Sequence, residues 1–138
     1  MTLRYTWTEG SIPPPGHYKR GVDLDGVDGR AWIKAGYGSA PVFDATFTLR
    51  SDTRDTLRAA LDAAGVWDEW TRPERRTIGG SHWRLPLTDG DRQPTIHNDA
   101  RGPDDRHPGP IAEAIEAIVP DALWSDLRAQ RTAFIADR

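Results

Sequence analysis

The sequence predicts an α+β fold: a mostly antiparallel sheet of about six strands with a helix packed on it and two C-terminal helices. Three observations predict it. Strand-period alternation recurs through the first fifty residues, a punctuated helix follows at 51–65, and a hairpin pattern then gives way to helical spacing. Strand runs followed by helical runs favour α+β over a parallel sheet. At 138 residues the chain is sized for one globular domain, 1–138, able to bury roughly two-thirds of its unfolded surface.

Leu3–Thr8 sets Leu3, Tyr5 and Trp7 on one face and Arg4, Thr6 and Thr8 on the other. Pro13-Pro14-Pro15 makes the next connection extended and stiff, in polyproline II. A second strand, about His17–Leu24, groups Tyr18, Val22 and Leu24, with Arg20 a misfit on that face. Asp25–Gly29 is turn chemistry, after which Arg30–Tyr37 turns Ala31, Ile33, Ala35 and Tyr37 inward. Beyond a Gly36–Pro41 turn, Val42–Leu49 alternates Phe43, Ala45, Phe47 and Leu49 against Val42, Asp44, Thr46 and Thr48.

Ser51 can cap the first helix, with Asp52 and Asp55 near its positive end and Leu57, Ala60, Leu61 and Ala64 as its buried stripe. Gly65 supplies a left-handed terminator on which Val66 folds back. After the charged connection Trp67–Arg76, His82–Leu87 and Arg92–His97 form a hairpin across Asp89-Gly90, and Pro94 places the second of them at an edge. An acidic, Pro- and Gly-rich loop, Asp99–Pro110, precedes the last two helices. Ile111, Ala114, Ile115 and Ile118 line one; Leu123, Leu127, Phe134 and Ile135 line the other, with Pro120 in its first turn.

A net charge of −3 gives no broad electrostatic basis for binding nucleic acid or an anionic membrane. No apolar run approaches the roughly 20 residues that span a bilayer. The first strand lacks a signal peptide's apolar core, and with the Arg-, Asp- and Ala-rich composition of a GC-rich genome the expectation is a bacterial cytoplasmic protein. The absence of cysteine excludes a disulfide framework, a thiolate nucleophile and Cys-ligated zinc.

Asp23-Leu24-Asp25-Gly26-Val27-Asp28-Gly29 invites a calcium reading, but Val27, Asp28 and Lys34 occupy EF-hand positions five, six and twelve, so a β-turn is expected. With Asp89-Gly90 as a two-residue turn, Trp83 faces Ile96, Leu85 faces Pro94, and His82 faces His97. Two imidazoles at that spacing could hold a metal if Asp99 or His107 added a third ligand. Ser81-His82 is no catalytic pair, because neighbours in a strand point to opposite faces. Gly26–Gly29 and Gly79-Gly80 lack the spacing and lysine of phosphate loops. Trp67, Trp70, Arg72, Arg75 and Arg76 could stack a ligand, though a Trp at a helix exit more often folds back over the core edge.

The order hairpin, Gly-terminated helix, Arg-rich connection, Asp-Gly hairpin and helix resembles that of small uncharacterised bacterial domains. In these, a strand like Phe43-Asp44-Ala45-Thr46-Phe47-Thr48-Leu49 precedes a leucine helix, and a Pro-Pro segment precedes a Tyr-bearing strand, as at Pro13–Tyr18. Over Val42–Val119 the layout is loosely similar to emfourin-type inhibitors of metalloproteases, which pair a cystatin-like sheet with a helix. The chain departs from them by a long N-terminal extension and a final helix. The resemblance implies protease inhibition but transfers no inhibitory residue.

The expectation is therefore a non-catalytic protein-binding domain without a cofactor. Its docking surface is expected at Trp32, Arg30 and Lys34 together with Pro14, Pro15, His17 and Tyr18, since interfaces enrich Trp and Arg and a preformed polyproline segment loses little entropy on binding. A competing expectation has a C-terminal helix covering Trp32. The alternative function is metal binding or metal-dependent hydrolysis through His82, His97 and Asp99.

Overall fold

Period-two alternation builds the sheet. The structure, a computed structural model, describes residues 1–8, 18–36, 38–64, 66–67, 82–92 and 109–137, with the backbone alone described at 82–84 and 109–110. Four strands follow one another: β1 (Thr2–Thr8), β2 (Lys19–Asp25), β3 (Asp28–Lys34) and β4 (Val42–Thr48). β5 (His82–Arg84) and β6 (Leu87–Thr88) both add to the other side of β1, so the order is β4-β3-β2-β1-β5/β6, antiparallel throughout.

β5 and β6 keep a single register against β1, Thr6 facing Arg84 and Leu3 facing Leu87. Between them Arg4 N–H donates to the Pro86 carbonyl at 2.9 Å. The return bond cannot form because proline has no N–H. They are thus one strand, as His82–Leu87 predicts, interrupted where Pro86 stands. The sixth expected strand, Arg92–His97, lies beyond Arg92 outside the described residues.

Two tight, two-residue hairpin turns use glycine where a positive φ is required. Gly26 (φ 65°) and Val27 join the facing pair Asp25 and Asp28, which makes the acidic segment a tight turn, as expected. Asp89 and Arg92 exchange two backbone bonds of 3.1 Å, leaving Gly90 (φ 61°) and Asp91 as the loop. The expected loop was Asp89-Gly90. The turn sits one residue later because Gly90 takes the first central position, which primed turns reserve for residues tolerant of positive φ.

One face of the sheet is apolar. Leu3, Tyr5, Trp7, Val22, Leu24, Ala31, Ile33, Leu85 and Leu87 are buried there, beneath all three helices. α1 (Ser51–Ala63) places Leu57 and Leu61 on this core. Ser51 is its first helical residue and not its cap: Leu49 N–H still bonds the Val27 carbonyl at 2.7 Å, so the chain stays extended through Arg50, whose side chain makes no cap. At the other end Val66 N–H reaches the Leu61 carbonyl at 3.1 Å and its side chain is fully buried, the long bond and apolar contact of a Schellman ending. Gly65 lies outside the described residues, as does Tyr37. α2 (Gly109–Glu116) packs on α1, and α3 (Asp121–Ala136) lies over β3 and β4, with Phe134 edge-on to Phe43 at 6.4 Å. Pro120 is the N-cap of α3, one residue before the expected first turn, and its carbonyl accepts from Leu123 N–H at 3.0 Å.

Arg20, the misfit, is where the helices are pinned to the sheet. Its guanidinium stacks 4.0 Å from the Trp7 ring centroid. Nη2 donates to Glu116 Oε2 at 3.2 Å, and Nη1 donates to the Tyr18 hydroxyl at 3.2 Å. Nε lies 2.7 Å from Oε1 as an ion-pair contact whose N–H is not aimed along a hydrogen bond. Tyr5 donates to the same carboxylate at 2.7 Å, while the Glu116 backbone carbonyl accepts from Trp124 Nε1 at 3.0 Å. Burial, then the Glu116 charge, pushes the Tyr5 phenol far above its usual value, so it stays a donor. Burial opposes the charge of Arg20 most strongly, but Glu116, Tyr5 and Tyr18 together outweigh it and raise the guanidinium's pKa further.

A charge this enclosed is costly to orphan. Glu116→Ala is expected to lower stability by about 3–5 kcal/mol in equilibrium denaturation, whereas the joint replacement of Arg20→Met and Glu116→Leu with Tyr5→Phe, which leaves no buried donor on Tyr5, is expected to stay within about 1 kcal/mol of wild type. Equal losses in both would refute the ion-pair account.

A second cluster ties the 89–92 turn to α1. Arg58 grips Asp89 with two hydrogen bonds, Nε to Oδ2 at 3.1 Å and Nη2 to Oδ1 at 3.0 Å, and Arg92 adds a third at 3.2 Å. Arg92 also lies 4.3 Å over the Trp67 ring, whose Nε1 donates to Asp62 at 2.8 Å. Trp67 therefore folds back on its helix; Trp70, Arg72, Arg75 and Arg76 lie outside the described residues. Burial works against ionisation of Asp89, but the hydrogen bonds from Arg58 and Arg92, with the charges of Arg58 and the N-terminal ammonium, hold its pKa below the usual carboxylate range. A lowered folded pKa adds stability above the unfolded value near 3.9 that is lost as pH falls through the folded one. Asp89→Asn is expected to cost about 1–2 kcal/mol at pH 7, and the gap to wild type should close below about pH 4 in acid-denaturation series.

Candidate functional site

The second face of the sheet carries the polar half of the alternation. Strand register arranges it in rows: Thr6, Gly21, Trp32 and Asp44 in one; Arg4, Asp23, Arg30 and Thr46 in the next; Thr8, Lys19, Lys34 and Val42 on the other flank. The three helices join the core of the opposite face. The expectation that a C-terminal helix covers Trp32 is therefore corrected: α3 packs under Ile33 and Phe43, because Trp32 and Ile33 alternate to opposite sides.

Trp32 is half-buried, and glycine is the reason. Its indole lies flat across Gly21 in the neighbouring strand, where a Cβ would come within 2.3 Å of the ring. Arg30, two residues along β3, is fixed as firmly. Its Nε donates to Asp44 Oδ2 at 2.7 Å and its Nη1 to Asp23 Oδ2 at 3.3 Å. The hydrogen bond to Asp44 contributes most to raising its pKa. Beside it, a shallow hollow of ≈ 260 Å³ is lined in part by Arg4, Asp23, Arg30 and Thr46. That is smaller than the roughly 300–1,000 Å³ of small-molecule sites, and its size suits a single inserted side chain.

Trp32, Arg30 and Lys34 thus share one face, as expected. Tyr18 does not join them. It lies on the helix-covered side, 5.4 Å from the Trp7 ring and beneath Arg131, whose guanidinium is 4.4 Å from its centroid. It belongs to the parity of Arg20 and Val22, not to that of Gly21. Pro14, Pro15 and His17 lie outside the described residues.

For the metal reading, the backbone of His82 pairs with Thr8 of β1. The observed pairing of Asp89 with Arg92 is not the register that set His82 opposite His97. His97, Asp99 and His107 lie outside the described residues, among which no group of three or more His, Cys, Asp or Glu side chains could hold a metal ion. No described helix is long and apolar enough to cross a membrane.

Sequence reasoning passed over Gly21 and Asp44 as site residues and weighed Asp23 only in the calcium reading. Strand parity alone puts Asp23 and Asp44 on the Trp32 side, and a glycine in mid-strand signals close approach, but only the register brings them beside Trp32 and Arg30. Gly21→Ala is expected to tip the indole and destabilise the fold by about 1–3 kcal/mol, with a shifted Trp32 indole resonance. Adding Trp32→Ala should relieve the clash, so the double-mutant cycle reads their contact directly. The chain matches no protein-family model, no curated protein and no solved structure.

Proposed function

We propose that this chain is a non-catalytic protein-binding domain whose docking surface is the Trp32 face of the sheet. The observation that carries the reading is the pinned pair: an indole held flat on Gly21 beside a guanidinium clamped by Asp23 and Asp44. An aromatic anchor already in place loses little conformational entropy when a partner covers it, and Trp and Arg are the side chains on which interface energy concentrates. Lys34 on the same face adds a solvated cation at the rim. The likeness to emfourin-type inhibitors makes a metalloprotease the first partner class to test.

The full chain is to be immobilised for capture from bacterial lysate and assayed against a panel of metalloproteases and serine proteases. Trp32→Ala is expected to weaken the captured complex, or raise the inhibition constant, by at least about tenfold. Binding that survives Trp32→Ala unchanged, or turnover of a small molecule by the purified chain, would overturn the reading.

A further inference from the structure

β4 presents an edge built for strand addition. Among the described residues it pairs with β3 alone. Two bonds fix which of its groups are already used: Leu49 N–H to the Val27 carbonyl at 2.7 Å, and Ala35 N–H to the Pro41 carbonyl at 3.0 Å. Both fall in the register that faces Gly29 with Phe47, Ala31 with Ala45 and Ile33 with Phe43. Bonded and unbonded pairs alternate in an antiparallel ladder, so Phe43, Ala45 and Phe47 bond β3. Val42, Asp44, Thr46 and Thr48 turn their N–H and C=O groups outward.

Edges are ordinarily blunted by lysine, proline, a bulge or shortness. Among the described residues, the strand at the far side of the sheet is interrupted at Pro86. β4 is not: it runs seven residues in unbroken register, Val-Phe-Asp-Ala-Thr-Phe-Thr. Its single charge, Asp44, is already matched by Arg30 at 2.7 Å.

We infer that a second copy of this chain covers this edge, β4 pairing with β4 antiparallel about a two-fold axis through Ala45. The strand is self-complementary in that register. Asp44 faces Thr46, Val42 faces Thr48, and the outward groups of all four bond their counterparts. Phe43 faces Phe47 at the unbonded positions, where antiparallel side chains approach closest. Centring on Asp44 would set two carboxylates against each other, and centring on Thr46 would run Phe43 off the end of the strand. The resulting dimer is isologous and extends the sheet to twice its width, with two Trp32 faces on one surface. It does not depend on what those faces bind.

Sedimentation equilibrium of the full chain, from low micromolar to several hundred micromolar, is expected to show monomer and dimer in exchange. Thr46→Asp adds a carboxylate against Asp44 of the second copy while lying beside Arg30 in its own chain; it is expected to weaken the dimer about tenfold. Thr46→Lys should leave it intact or tighter. Thr46→Pro removes an outward donor but no bond to β3, and should give a monomer with wild-type circular dichroism. A monomer at every concentration, or a dimer that both Thr46→Asp and Thr46→Pro leave unchanged, overturns the inference.

Discussion

The half-buried pair of Arg20 and Glu116 is the interaction on which the arrangement of sheet and helices depends. Each side chain is only 18 % exposed, so neither charge can be left alone without a large desolvation penalty. Glu116 ends α2 and its backbone carbonyl holds Trp124 of α3. Arg20 and Tyr5 belong to adjacent strands. One residue, Glu116, therefore connects β1 and β2 through its carboxylate and α3 through its carbonyl to α2. Apolar packing would allow the helices to slide on a surface of Leu, Ile and Val. The ion pair, with its hydroxyl and indole partners, selects one seating.

Glycine performs the same service on both faces of the sheet. Gly21 gives Trp32 a flat bed on the polar face; Gly29 does so for Phe47 on the apolar face, where a Cβ would stand 2.3 Å from the ring. In each case the aromatic reaches sideways across a neighbouring strand. On the inner face this closes the core near the start of β3. On the outer face it makes a rigid aromatic plate, because the ring gains contact area and loses rotamer freedom together. Clamped by two carboxylates, Arg30 likewise gives up its freedom within the monomer. A surface ordered in advance in this way loses little entropy when it is covered.

The two sides of the sheet differ in how they end. Proline at position 86 removes a ladder donor and Asp89 fastens the adjoining turn to α1 through Arg58. β4 ends the opposite side with a regular ladder whose outward groups all belong to exposed residues, Val42, Asp44, Thr46 and Thr48. Among the described residues, the asymmetry is between an outer strand that is interrupted and tied down and one that is continuous.

Much of this was legible in the residues themselves. Alternation along Leu3–Trp7, Phe43–Leu49 and Ala31–Ala35 determined which side chains face the core, because side chains in a strand have only two directions to point. Leu57, Leu61 and Val66 were legible as the packed stripe and return of α1 for the corresponding helical reason. The placement of Trp32 with Arg30 and Lys34 also followed from parity. What the sequence could not decide was pairing. Arg20 reads as an error in a strand pattern until Glu116, 96 residues away, arrives to neutralise it. Gly21 reads as a weakness until the register sets it beneath Trp32. Position within a strand is a local property, whereas register and ion-pair partners depend on contacts between distant segments, so only the tertiary structure assigned them.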